Sequence, residues 1–282
     1  MRESVDEDDE HTADAPLPMD LDGLVAAIRT LDTQSVVVGI ALDSRVRVNL
    51  GNHAEKRLDT CDDPLFSCAD DAFLQRPHFA TFAVLLDNYT KRTDLPDSMN
   101  PQEANELEEF IRTVLESEMM RLVMRYLQSR HGMTEQEVVV KFRRMWFGTY
   151  DRDRTGFEHV FVGEVAWGNV KGYHNWVTFF LAEACPNVNY YGFYNYTSDC
   201  LTLQFAESLP FTDGRQRTMA ETEIKLKKIG GFWLGSTPVA DLVIATVLAL
   251  TNTTRLTING AGYEICTYWD NGRILTIYPR IL

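Results

Sequence analysis

Two histidines fifteen residues apart are the residues of this chain best placed to do chemistry. His159 lies in Gly156-Phe157-Glu158-His159-Val160-Phe161-Val162-Gly163-Glu164, and His174 lies in Gly172-Tyr173-His174-Asn175-Trp176. Two imidazoles can do what one cannot: a neutral ring removes a proton while a protonated ring delivers one. Both states are within reach near neutrality, because the unperturbed pKa is about 6.5. A single histidine in an aromatic stretch is usually a satisfied core or surface residue. The pair becomes a reaction centre only with a third group. The stretch Lys225-Leu226-Lys227-Lys228-Ile229-Gly230-Gly231-Phe232-Trp233-Leu234-Gly235-Ser236-Thr237-Pro238 offers a cation. On a strand, Lys225 and Lys227 share a face while Lys228 points away. Without the histidines, this cluster would read as a solvated basic edge strand.

Taken together, GFEHVFVGE, GYHNW and KKIGGFWLGSTP resemble, in the same order, the three motifs of the EndoU family of uridylate-specific endoribonucleases. The resemblance is firm over residues 142–282 and faint before them. The family places one catalytic residue in each motif, which implies His159, His174 and Lys227 here. Thr276-Ile277-Tyr278-Pro279-Arg280 resembles the family's T-x-Y element, whose Tyr packs on the ribose or the base. The implied reaction is cleavage of single-stranded, uridine-containing RNA. The ribose 2′-OH attacks the neighbouring phosphate and leaves a 2′,3′-cyclic phosphate and a 5′-OH. His174 is expected to be the base, His159 the acid and Lys227 the cation facing the phosphoryl oxygens. Lys225 is expected to bind phosphate beside it. DNA, lacking the 2′-OH, is not expected to be cut.

One departure concerns base choice. Where relatives carry a Ser that helps select uracil, this chain has Gly231. Its backbone N–H can still meet the base, and the next hydroxyls are Ser236 and Thr237. A relaxed uridine preference is expected, sharpened if a Ser is restored at 231. The resemblance also implies a Mn2+ or Ca2+ activator that the phosphoryl chemistry itself does not require. Glu158 and Glu164 are the hard-ligand carboxylates for it, although their spacing matches no zinc motif. Two other readings use the same residues. One is a catalytically weak RNA-binding protein that keeps the fold. The other is a metal-dependent hydrolase built on Glu158, His159, Glu164 and His174.

Composition bounds these readings. The chain has 282 residues, 45% of them hydrophobic, as in a packed globular protein. Net charge is −14, unlike the basic footprint of most nucleic-acid binders. The acids are unevenly spread. Residues 1–20 hold eight against one Arg, whereas residues 141–282 hold 13 against 14 Lys and Arg. RNA affinity should therefore be modest and salt-sensitive. Five cysteines at irregular spacing contain no Cys-x-x-Cys pair, and no apolar leader opens the sequence. An intracellular protein with reduced thiols and no membrane span is expected. Oligomeric state is not legible.

The elements that must position these residues divide into three regions. Residues 1–19 read as a disordered acidic tail. Residues 20–147 read as mainly helical, with helices over 21–31, 71–88, 100–128 and 134–146. Ser35–Leu50 reads equally as a strand pair or a helix end. Residues 148–282 read as the catalytic region, with strands over 158–165, 188–196, 201–205, 224–234, 255–259, 263–269 and 274–278. Two helices, 176–184 and 238–250, interrupt them. Helices first and strands later predict an α+β fold. The family resemblance implies two antiparallel sheets around a groove with helices outside.

Overall fold

Caps written into the sequence organise the helical half. In the computed structural model, which describes residues 17, 20–40, 64–68, 71–95, 97–150, 153–185, 187–210 and 222–282, α1 (Leu21–Leu31) begins at Asp20, whose carboxylate accepts from the Gly23 N–H. Nearly all of the expected acidic tail, and residues 41–50 of the ambiguous segment, lie outside the described residues. Within the remainder of that segment β1 (Gly39–Ile40) pairs with β2 (Phe66–Cys68). The helix expected over 71–88 is α2 (Pro77–Ala83) flanked by two short 3-10 turns.

The single helix expected over 100–128 is two helices. α3 (Pro101–Glu116) ends at Ser117, which adopts an extended backbone with ψ 146°. The Ser117 hydroxyl then caps the Met120 N–H and starts α4 (Glu118–His131). A serine favours a cap over a helix interior because its hydroxyl competes for backbone donors. Both α3 and α5 (Glu135–Phe147) open with complete capping boxes, Asn100 with Glu103 and Thr134 with Glu137.

The second half adds β3 (Glu164–Ala166), β4 (Asn169–Lys171), α6 (Trp176–Ala184), β5 (Val188–Tyr196), β6 (Cys200–Pro210) and β7 (Thr222–Trp233). After them come α7 (Pro238–Leu250), β8 (Arg255–Ile258), β9 (Ala261–Asp270) and β10 (Arg273–Ile281). One sheet has the order β3-β4-β7-β6-β5 and another the order β10-β9-β8. The fold is α+β, with two sheets and flanking helices. The larger sheet is mixed rather than wholly antiparallel: β4 meets β7 in parallel, with Asn169 opposite Leu226. The short β3–β4 hairpin shares only this one ladder pair with β7, and its outer edge is bonded to Lys91 and Thr93 through Val165.

A single apolar core runs from Leu24 to Ile277 and joins both halves of the chain. Helix α7 is apolar on nearly every side and buried along its length, as a helix inside a core must be. Trp146 of α5 donates its indole N–H to Thr246 of α7 at 2.9 Å. The Asp32 carboxylate after α1 accepts from the Thr237 N–H and hydroxyl at 2.8 and 2.9 Å. Arg29 pairs with Asp199 at 2.6 Å. Truncating a fully buried ring here, such as Phe79 or Trp176, should cost about 3–5 kcal/mol. Among the described residues no helix is long and apolar enough to cross a membrane.

Candidate active site

The segment that carries His159 is helical, not the strand predicted over 158–165. Glu158–Val162 forms a wide helical turn. It opens with a capping box that the strand-like composition concealed. The Glu158 N–H donates to Thr155 Oγ1 at 3.1 Å, and the Thr155 N–H donates to Glu158 Oε2 at 3.3 Å. The Phe157 and Phe161 rings, four residues apart, stack at 5.2 Å on the core side. On a strand, alternation would turn Glu158 away from His159. In the helix, Glu158 is a buried cap instead.

Backbone bonds lock the two histidine segments together. The Tyr173 N–H donates to the His159 carbonyl at 3.0 Å, and the His174 N–H to the Val160 carbonyl at 2.6 Å. Gly172 makes this approach possible. It has φ 58°, and a Cβ there would collide with the His159 carbonyl oxygen. Tyr173 follows at φ 65°, a conformation costly for a bulky residue and held here by its burial.

The two rings have different settings. His174 is buried, and its Nδ1–H donates to the Gly231 carbonyl at 2.9 Å. A carbonyl can only accept, so Nδ1 carries the proton and Nε2 keeps a free lone pair. Burial holds its pKa well below the ordinary value, and the nearby charges of Lys227 and His159 push the same way. The His159 Nδ1 instead lies 3.1 Å from Glu164 Oε2. Arg154 reaches that oxygen at 3.4 Å. Lys227 is buried on β7, and burial, then the charge of Lys171, brings its ammonium down to about 7.

The other predicted residues are dispersed in role. Lys225 is paired across the ladder with Glu207, two residues along the strand from Lys227. Gly231 contributes its carbonyl to His174, as described. The Ser236 and Thr237 hydroxyls are both engaged within the protein. The Ser236 hydroxyl donates to Asp241, and the Thr237 hydroxyl donates to Asp32 while capping Ala240 at the start of α7. Tyr278 is half-buried, and one face of its ring is taken by His174. Its expected base contact is therefore limited to the other face or the edge. Thr276 lies two residues earlier on β10, after a register shift, with its hydroxyl buried and without a hydrogen-bond partner.

Glu158 and Glu164 do not form the metal site expected of them. Burial, then repulsion from Glu164, raises the Glu158 carboxyl to about 9, so it is neutral at pH 7. Glu164 gives one oxygen to His159 and Arg154, and its other oxygen has no partner. One free oxygen beside a neutral acid is not a ligand set for Mn2+ or Ca2+. Among the described residues no three His, Cys, Asp or Glu side chains group to hold a metal ion.

The sequence reading misassigned one neighbouring residue and missed two others. Glu164 is the partner of His159 rather than a ligand. Asn175 caps α6 through the Val177 and Thr178 N–H groups and donates to Asp241 at 3.1 Å, which fixes the residue after His174. Its position before an apolar run was a readable cap signal. Thr202, opposite Gly231 on β6, has a buried hydroxyl without a partner.

An uncharged buried imidazole, a second imidazole on a carboxylate and a lysine, all within electrostatic reach, form a site for acid–base chemistry on an anion. The family model described as Endoribonuclease XendoU matches residues 20–279, and the chain belongs to that family. It is 30% identical over 278 residues to the Mus musculus uridylate-specific endoribonuclease, an alignment covering 92% of this chain and 63% of that protein. It thus spans under two thirds of the length of that relative. It is also 30% identical over 240 residues to the Xenopus laevis poly(U)-specific endoribonuclease-A, covering 79% of this chain and 80% of that one. The solved structure of XendoU, described as a splicing independent snoRNA processing endoribonuclease, superposes with a TM-score of 0.71 at 24% identity. The match covers 95% of this chain and 99% of that one, and it shows a shared fold.

Proposed function

We propose that this chain is an endoribonuclease that cuts single-stranded RNA on the 3′ side of uridines. The 2′-OH attacks the adjacent phosphorus as its proton passes to His174 Nε2. The bond to the 5′-oxygen breaks as His159 donates a proton to it, leaving a 2′,3′-cyclic phosphate and a 5′-OH. Glu164 holds the His159 Nδ1 side of the ring and balances an imidazolium there, as an orienting carboxylate does. Lys227 meets the charge that builds on the phosphoryl oxygens. The observation that carries this reading is the contrast between the two rings, one on a carbonyl and one on a carboxylate. The names of the relatives support both the activity and the base. An intracellular setting is part of the proposal, as is a Mn2+ or Ca2+ activator bound elsewhere than at Glu158 and Glu164, although the chemistry runs through neither.

A labelled oligoribonucleotide with one uridine, incubated with and without chelator, tests this. Cutting should yield a cyclic phosphate end, and 2′-deoxyuridine or 2′-O-methyluridine at the cut should block it. His159→Ala, His174→Ala and Lys227→Ala should each lower the rate by about 10²–10⁴-fold with unchanged circular dichroism. Cutting of an all-DNA strand at a comparable rate overturns the mechanism. Binding without cutting favours the second reading, a catalytically weak RNA-binding protein, whose sequence grounds are Gly231 in place of the family's serine and the net charge of −14.

A further inference from the structure

The β3–β4 hairpin holds a residue that the chemistry above does not use. Trp167 at its tip is 89% exposed. Its backbone has φ 48°, a left-handed conformation rare for a bulky residue, and Gly168 follows at φ 75°. These two residues form the turn that closes Ala166 against Asn169. The Asn169 amide donates to the Trp167 carbonyl at 3.0 Å and fixes the tip. Lys171 places its ammonium over the indole, 5.8 Å from the ring centre.

The same hairpin reaches the reaction centre. Lys171 pairs across the ladder with Glu164, the carboxylate on His159. Its charge is also felt at Lys227. One short hairpin therefore carries the His159 partner, a cation near Lys227 and an open indole. Trp167 lies in the turn one residue past β3 and three residues after Glu164, so the two backbones are at most about 10 Å apart. A separation of that size is within reach of a nucleotide neighbouring the one that is cut.

We propose that Trp167 and Lys171 form a flanking RNA subsite, in which the indole stacks a base beside the scissile uridine and Lys171 meets an intervening phosphate. The proposal rests on the RNA-cleavage reading and names a further part of that substrate's path. Any base has a flat face, so the subsite adds affinity without selecting sequence. It also supplies a local cation in a chain whose total charge repels RNA.

The test uses the full chain and a pentanucleotide carrying 2′-deoxyuridine at the cleavage position, so that binding is read without cutting. Flanking bases are kept or made abasic, one side at a time. On one side, removing the base should weaken wild-type binding by about 5- to 150-fold, the range for base-stacking aromatics. Trp167→Ala should bind the base-bearing oligomer about as weakly as the wild type binds the abasic one. Trp167→Phe should recover part of the loss. Equal affinity of Trp167→Ala and wild type, or equal sensitivity of both to abasic sites on either side, overturns the proposal. If the wild type shows this coupling but does not cut the matching ribose oligomer, the cleavage reading fails and the subsite stands. If the wild type does not bind, the subsite fails.

Discussion

The ring of Tyr278 lies 4.4 Å from that of His174 and within 13° of parallel to it. The Tyr therefore shields one face of the proposed base and fixes its plane, while burial holds the phenol up to about 12, with adjacent Cys266 adding to the shift. A neutral phenol contributes here through its ring. Tyr278→Phe should retain kcat/KM within about threefold. Tyr278→Ala should lose about 10-fold or more, in line with the loss of an aromatic stack worth ~1–3 kcal/mol. With water admitted, the acid limb of its pH–rate profile should move up toward the ordinary histidine value. An alanine variant with both the wild-type rate and the wild-type acid limb would refute the pairing.

Lys227 sets the alkaline side of that profile. Its pKa in the free protein is brought down to about 7, so its charge is present below that pH and lost above it. His174, held well below its ordinary value, stays neutral at mildly acidic pH. The kcat/KM profile should thus hold on the acid side of neutrality and fall above about pH 7. Bound phosphate favours the ammonium, so the fall in kcat should come at higher pH than the fall in kcat/KM. Lys227→Arg keeps its charge throughout and should remove the alkaline limb, whatever its absolute rate. If the limb stays at the same pH in the arginine variant, it belongs to another group.

Glu158 should make stability pH-dependent. Its folded-state pKa, about 9, is above the ordinary glutamate value of 4.5. A group raised in this way contributes stability that is fully present below about 4.5 and is lost as pH rises through about 9. Glu158→Gln mimics the neutral acid and keeps an oxygen for the Thr155 N–H. Its melting temperature should gain on that of the wild type as pH goes from 5 to 9. A constant difference between the two proteins across that range would place the titration elsewhere.

The sequence made the outlines of this site readable because motif and cap signals are local. The helices 176–184 and 238–250 match α6 and α7, and the strand 188–196 matches β5. His159, His174 and Lys227 do come within electrostatic reach of one another. What failed was anything set by packing or by competition for a polar group. Val160, Phe161 and Val162 have the composition of a strand, but the Thr155–Glu158 box and the core aromatics make their segment helical. Ser236 and Thr237 looked like free hydroxyls until Asp32 and Asp241, distant or unremarked in the sequence, claimed them. Glu164 looked like a ligand because nothing local shows that its oxygen faces His159.

Gly231 is where the geometry reverses a sequence expectation. A serine restored there was expected to sharpen uridine preference. A Cβ at that position would stand 2.7 Å from the Pro279 carbonyl oxygen, which is backbone and cannot rotate away. Pro279 adjoins Tyr278, and the Gly231 carbonyl holds His174. Relief of the clash must therefore move β10 or β7, and with either one the His174–Tyr278 stack. Gly231→Ser should lower stability by about 1–3 kcal/mol, the usual cost of overfilling a packed site, and lower kcat rather than improve selectivity. Base reading must then come from groups already present, and the unbonded Thr276 hydroxyl, two residues before Tyr278 on β10, is the one the T-x-Y resemblance names. Thr276→Val should reduce the uridine-to-cytidine rate ratio by about 2- to 13-fold, the worth of one hydrogen bond of about 0.5–1.5 kcal/mol. Initial rates on four oligonucleotides that differ only in the base 5′ to the cut decide both points. A Gly231→Ser protein with unchanged melting temperature and a steeper uridine preference would show that β7 and β10 yield more easily than this contact implies.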